Sequence, residues 1–169
     1  MPSDLRGVSG GSEALALLAS AYRSRLRRSG RTAEHPIAVA QLLHDDAQSD
    51  DVVVAGLLHD LLEDTDVTID ELADVCGPHV AELVRALSQD TSIAGYRDRK
   101  AALRRQILAA GPEAGTVSLA DKLAKVRGAD ERPRKRKLAH YRATLTEVER
   151  IHGRSPLSVA LRRELARWR

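Results

Sequence analysis

The stretch VVVAGLLHDLLED, residues 52–64, decides the fold. Its Val-rich start suits a strand, but the run is too long for one, and Leu57, Leu58, Leu61 and Leu62 recur at helical spacing. A buried helix accounts for both features. Four ionisable residues interrupt it: His59, Asp60, Glu63 and Asp64. Residues three and four apart share a helix face, so a continuous helix aligns 59 with 63, and 60 with 63 and 64.

The helical pattern continues outward on both sides. Upstream, HPIAVAQLLHDDA (35–47) carries Pro36 in the tolerated first turn, and EALALLASAYRSRLRR (13–28) runs from a Ser12 N-cap to Gly30. Downstream, Thr68 and Glu71 form a capping box for TIDELADVC (68–76), which Gly77 ends, and PHVAELVRALSQ (78–89) follows. A loop at 91–96 leads to helices at about 97–110, 116–128, 133–151 and 155–168, with breaks at Gly111-Pro112, Gly128 and Gly153. No internal repeat or low-complexity tract is present. The expected architecture is an all-α bundle of about seven to nine helices.

Composition agrees. The chain has 169 residues, 43% of them apolar, which suits one domain with a single core. Ala (25) and Leu (23) dominate, Phe is absent, and Trp and Tyr together number four. Sheets draw on aromatic and β-branched residues, whereas Ala and Leu lose little freedom in helices, so a β-sandwich or barrel is excluded. Residues 1–11, with Gly7, Gly10 and Gly11, read as a flexible lead and 12–169 as the domain. No apolar run reaches the roughly 18 residues of a membrane helix. MPSDLRGVSGGSE lacks the apolar core of a signal peptide, and the single Cys76 forms no internal disulfide, so a cytoplasmic location is expected.

The net charge is only +3, but it is divided: residues 1–90 hold 16 acids against 7 bases, and residues 91–169 hold 8 against 20. Such asymmetry fits an anionic partner, or one pocket in which acids hold a metal and bases hold phosphates.

Charges inside an apolar helix must be paired or bind a metal, because lone charges are costly to desolvate. Imidazole with carboxylate suits a divalent ion such as Mn, Fe or Zn. Two other helices carry similar intrusions: His35 opens HPIAVAQLL, and Asp121 lies within VSLADKLAKV. Three helices that each turn one or two such residues inward give a site of two His and two Asp, drawn from the ordered set His35, His59-Asp60, Glu63-Asp64 and Asp121. A buried salt-bridge cluster is the alternative.

HPIAVAQLL, AGLLHDLLEDTDVTIDEL and SLADKLAKVRG resemble the HD-domain phosphohydrolases, and more narrowly the (p)ppGpp hydrolase domain of RelA/SpoT proteins and the stand-alone small alarmone hydrolases. The resemblance runs from about residue 12 to the C-terminus. It implies that His35, His59, Asp60 and Asp121 bind the metal, with Mn2+ the expected ion, and that Glu63 and Asp64 are the catalytic carboxylates. The implied reaction removes the 3′-pyrophosphate from ppGpp or pppGpp, giving GDP or GTP plus pyrophosphate. The family also carries a basic residue ahead of its HP motif, for which Arg28 is favoured over Arg27, and a basic residue and a Tyr near its nucleotide, matched by Lys137 and Tyr141. Arg99 and Lys100 are a third source of phosphate contacts.

The chain departs from the family at two points. Lys125 in LADKLAK stands where the family carries an Asn that contacts substrate; it brings a charge that can grip phosphate. The approach GRTAEHP (30–36) lacks the aromatic residue the family often has there. These departures keep two alternatives open: an HD phosphohydrolase acting on another phosphorylated nucleotide, such as NADPH, and a non-catalytic nucleotide-sensing module.

RPRKRK (132–137) has no interleaved aromatic residue on which bases would stack, which argues against a nucleic-acid partner. Apart from Lys137, the run reads as a solvated helix start. His44, His79, His140 and His152 read as solvated or capping residues, and Cys76 as a small core residue.

Overall fold

Each apolar stretch read from the sequence forms a helix. In the computed structural model the described residues are Leu5, 7–29 and 33–168, and side chains are described for all of these except 24–29. The helices are α1 (Gly11–Ser29), α2 (Glu34–Asp45), α3 (Asp50–Leu58), α4 (Leu61–Asp64), α5 (Ile69–Cys76), α6 (Pro78–Leu87), α7 (Tyr96–Ala110), α8 (Pro112–Arg127), α9 (Lys135–His152) and α10 (Pro156–Ala166). Among the described residues there is no strand, and no helix is long and apolar enough to cross a membrane.

The helix expected over 52–64 is two helices, α3 and α4, with His59 and Asp60 at their junction. The last carbonyls of a helix have no partner within it. Here the Gly56 carbonyl accepts a hydrogen bond from His59 Nδ1 at 2.8 Å, so the imidazole caps α3 while turning inward. Asp60 (φ −95°, ψ 0°) is the second residue of the turn, and α4 restarts at Leu61. The expected single helix is therefore broken by a corner at His59 and Asp60, and residues 59, 60, 63 and 64 all still line one cavity.

Other boundaries follow local chemistry. The Thr68–Glu71 capping box forms at the start of α5, with Glu71 N–H donating to Thr68 Oγ1 at 3.2 Å and Thr68 N–H to Glu71 Oε2 at 2.8 Å. Gly77 (φ 85°) and Gly111 (φ 104°) take left-handed backbone conformations, each just before a proline that opens the next helix. For this reason α8 starts at Pro112, ahead of the expected 116. α1 starts at Gly11, one residue before the Ser12 expected to cap it.

α8 is the central rod. α2, α3, α6, α7, α9 and α10 all pack against it. Ala114, Gly115, Ser118, Ala120 and Ala124 keep it thin enough for neighbours on every side, and a helix surrounded in this way buries whatever polar groups it carries. Asp121 and Lys122 are accordingly buried. α3 packs tightly on α2 because Gly56 has no side chain: a Cβ there would overlap Leu43 Cδ1. Leu5 and Val8, within the stretch read as a flexible lead, pack into the core.

Candidate metal centre and substrate cleft

Three structural units meet at one carboxylate. α2 brings His35 from its first turn, the α3–α4 junction brings His59 and Asp60, and α8 brings Asp121 from its buried middle. Asp121 Oδ1 lies 3.0 Å from His35 Nε2 and 3.3 Å from His59 Nε2. One donor atom from each of His35, His59 and Asp121 fits within a 4.8 Å span. Asp60 joins through His59, its Oδ1 standing 3.2 Å from Nε2. The imidazole rings of His35 and His59 meet edge to face, their centroids 5.3 Å apart.

His59 tests whether a metal fits here. Its Nδ1 donates to the Gly56 carbonyl, so in the neutral ring the lone pair lies on Nε2. That atom is buried and makes no hydrogen bond of acceptable geometry, yet it faces two carboxylate oxygens. A lone pair aimed at two anions calls for a cation between them, either a proton or a metal ion. A ring fixed through its other nitrogen is the usual arrangement of a metal-binding histidine. The donor set, imidazole with carboxylate, suits a divalent ion.

The electrostatics show the same demand. Burial disfavours a charged His59, but Asp60 and Asp121 overcome it and raise the pKa to about 10. Burial likewise works against a charged Asp60, yet His59 brings it down to about 2. Asp121 is held well below the usual carboxylate range, because Lys125 and the two imidazoles outweigh its burial. Lys125, directed inward, places Nζ 2.7 Å from Asp121 Oδ1. Burial opposes its charge, but Asp121 and Asp60 raise its pKa above the ordinary lysine value.

The cluster opens into a cavity of about 980 Å3. Glu63, Asp64, Lys125, Lys137 and Tyr141 all line it, together with His35, His59, Asp60 and Asp121. Glu63 is clasped: its Oε1 accepts from the Gln89 N–H at 2.8 Å and its Oε2 from Gln89 Nε2 at 2.9 Å. Lys100 Nζ donates to Gln89 Oε1 at 2.8 Å, which fixes the clasp in turn. Tyr141 is buried, and burial pushes its phenol up to about 12. Lys137 is exposed at the rim. Arg28 lies outside the residues whose side chains are described. Arg99 holds the 91–96 loop, donating to the Ile93 carbonyl at 2.6 Å.

Three cleft residues were not anticipated. Gln89 closes a helix end with nothing in its neighbourhood to distinguish it. Lys122 did carry a signal, an ammonium next to Asp121 in an apolar run; it is buried, donates to Ser118 Oγ at 2.8 Å, and has its pKa lowered by burial to about 8. His140, read as solvated or capping, is buried beside Tyr141. Its position one turn after Lys137 was the available clue.

A profile of the HD domain matches residues 14–147, a span that contains the whole cluster. The chain belongs to the HD-domain family. No curated protein matches it. Among solved structures, this HD-domain protein is similar to a metazoan ortholog of SpoT that hydrolyzes ppGpp, with 23% identity and a TM-score of 0.75 over 92% of this chain and 94% of that one. It is also similar to lmo0812 from Listeria monocytogenes EGD-e, with 25% identity and a TM-score of 0.67 over 78% of this chain and 90% of the other. For this HD-domain protein, family and fold support a metal-dependent phosphohydrolase.

Proposed function

We propose that the chain is a metal-dependent 3′-pyrophosphohydrolase that converts ppGpp or pppGpp to GDP or GTP plus pyrophosphate. The observation that carries this reading is His59 Nε2, a buried lone-pair nitrogen facing Asp60 and Asp121 at the floor of a cleft with basic residues. The hydrolysis of ppGpp by the metazoan SpoT ortholog of like fold adds to it.

His35, His59, Asp60 and Asp121 would hold the ion, with Mn2+ the expected one. Such an ion supplies Lewis acidity toward a phosphoryl oxygen and toward water. Glu63 and Asp64 orient the attacking water and accept its proton. Gln89 keeps the Glu63 carboxylate from turning away. The water oxygen bonds to the phosphorus attached to the ribose 3′ oxygen, that P–O bond breaks, and the 3′ oxygen leaves as a hydroxyl by taking up the proton that the carboxylates accepted. Lys125, Lys137 and Arg28 take the phosphate charge, and Tyr141 stacks on the guanosine or hydrogen-bonds to it. The expected partner is therefore a small phosphorylated nucleotide.

A second reading keeps the chemistry and changes the nucleotide. The inward ammonium of Lys125, where a neutral Asn is the family pattern, favours a substrate with an additional phosphate contact, such as NADPH. A panel of ppGpp, pppGpp, GTP and NADPH, each incubated with the Mn2+-loaded protein, separates the two. Pyrophosphate release from ppGpp supports the first. Inorganic phosphate from NADPH with ppGpp untouched supports the second, and tight binding without any product supports a sensing module.

A further inference from the structure

We propose that Lys125 is a built-in counter-cation of the centre, holding the Asp121 carboxylate when no metal is bound and leaving it when a divalent ion binds. This rests on reading the cluster as a metal site. Three nitrogens converge on the single oxygen Asp121 Oδ1: Lys125 Nζ at 2.7 Å, His35 Nε2 at 3.0 Å and His59 Nε2 at 3.3 Å. The ammonium is the nearest of the three. An ion shared by the two imidazoles and Asp121 would therefore meet another cation already seated on its carboxylate.

Two positive charges a few ångströms apart in a poorly solvated site repel strongly, and they do so most where water is scarce. The ammonium can retreat. Lys125 sits one turn beyond Asp121 on α8, its side chain is 39% exposed, and its stem reaches into the cleft. The His59 imidazole cannot do so, since it is tied to the Gly56 carbonyl and is almost fully buried. The fourth nitrogen in the neighbourhood does not substitute for it: Lys122 Nζ is 3.7 Å from Asp121 Oδ2 and spends its hydrogen bonds on Ser118. Lys125 thus neutralises a buried carboxylate that would otherwise destabilise the metal-free fold, and every ion that binds must displace it.

The test is calorimetric titration of Mn2+ alone into EDTA-stripped wild type, Lys125→Met and Lys125→Arg. Removing the competing charge should tighten Mn2+ binding at least about tenfold in Lys125→Met, while Lys125→Arg stays near wild type. Thermal melting gives an independent readout. In EDTA, Lys125→Met should melt below wild type, because Asp121 has lost its nearest cation, and its rise on adding Mn2+ should be the larger of the two. Equal or weaker Mn2+ affinity in a Lys125→Met protein with unchanged far-ultraviolet circular dichroism overturns the inference but leaves the metal site standing. Mn2+ binding to neither protein overturns both.

Discussion

His59 and Lys137 line the same cleft from different surroundings. His59 is buried at a helix corner, tied at one ring nitrogen, and faces two carboxylates with the other. Lys137 is exposed on α9, close behind a run of arginines. The polar residues contributed by α2 and the α3–α4 corner are acid or imidazole, His59 fixed by burial and Glu63 by Gln89; those from α7, the end of α8 and α9 are largely basic, and several are solvated. The charge division of the sequence thus becomes a division of the cleft. One side is built to hold a cation in a set geometry, the other to adapt to an anion.

Substitutions on the fixed side should therefore act all or none. His59→Ala removes the nitrogen that faces both carboxylates. Metal bound per chain after dialysis should fall by more than about a hundredfold in affinity terms, beyond what loss of a merely supporting partner does, and turnover should vanish with it. A variant that retains stoichiometric metal would break the coordination scheme.

Glu63→Gln and Asp64→Asn come next. Both residues line the cavity outside the three-residue cluster, so metal content should stay at the wild-type level. Loss of a positioned proton acceptor should lower kcat by about 10²–10⁴. Unchanged hydrolysis in both would remove the carboxylates from the chemistry while leaving the metal centre intact.

The same contrast explains what could be read in the sequence. His35, His59, Asp60 and Asp121 are anomalies, polar groups in apolar helices, and an anomaly is visible without coordinates. Their convergence followed because buried charges need one another. The corner at 59–60 was invisible, since Leu57, Leu58, Leu61 and Leu62 keep helical spacing across it; only the His59–Gly56 bond reveals the break. On the basic side, Lys137 and its arginine neighbours look like any solvated helix start, and Gln89 looks like any polar residue after a helix. Their placement depends on how α6, α7 and α9 pack, which no local pattern encodes.

On the adaptable side the effects should be graded. Lys137→Ala removes one exposed charge, and exposed ion pairs contribute little. It should raise KM by about two- to fivefold, with kcat and metal content unchanged. A collapse of kcat would mean that Lys137 acts on the reacting phosphate and that the two sides are less distinct than described.

The smallest effect concerns stability in acid and arises where the basic side becomes buried. His140 accepts from Arg104 at its Nδ1, 3.3 Å away, and burial, with Lys122, Lys100 and Arg104 nearby, drives its pKa from 6.5 down to about 3. The folded state therefore keeps His140 neutral, whereas the unfolded chain protonates it below about 6.5. Between those values the unfolded state binds more protons, so stability falls as pH falls. His59 has the opposite sign, its pKa being raised, and the lowered carboxylates Asp60 and Asp121 stay ionised in both states until pH drops below about 5. Melting temperatures of wild type and His140→Gln in EDTA, taken from pH 7 to pH 5, therefore isolate the one imidazole. His140→Gln keeps an acceptor for Arg104 and cannot be protonated, so its melting temperature should fall less steeply with acid than that of wild type. Parallel curves would mean that the cationic surroundings of His140 relax enough to admit its proton, and that the buried end of the basic side is as yielding as its exposed rim.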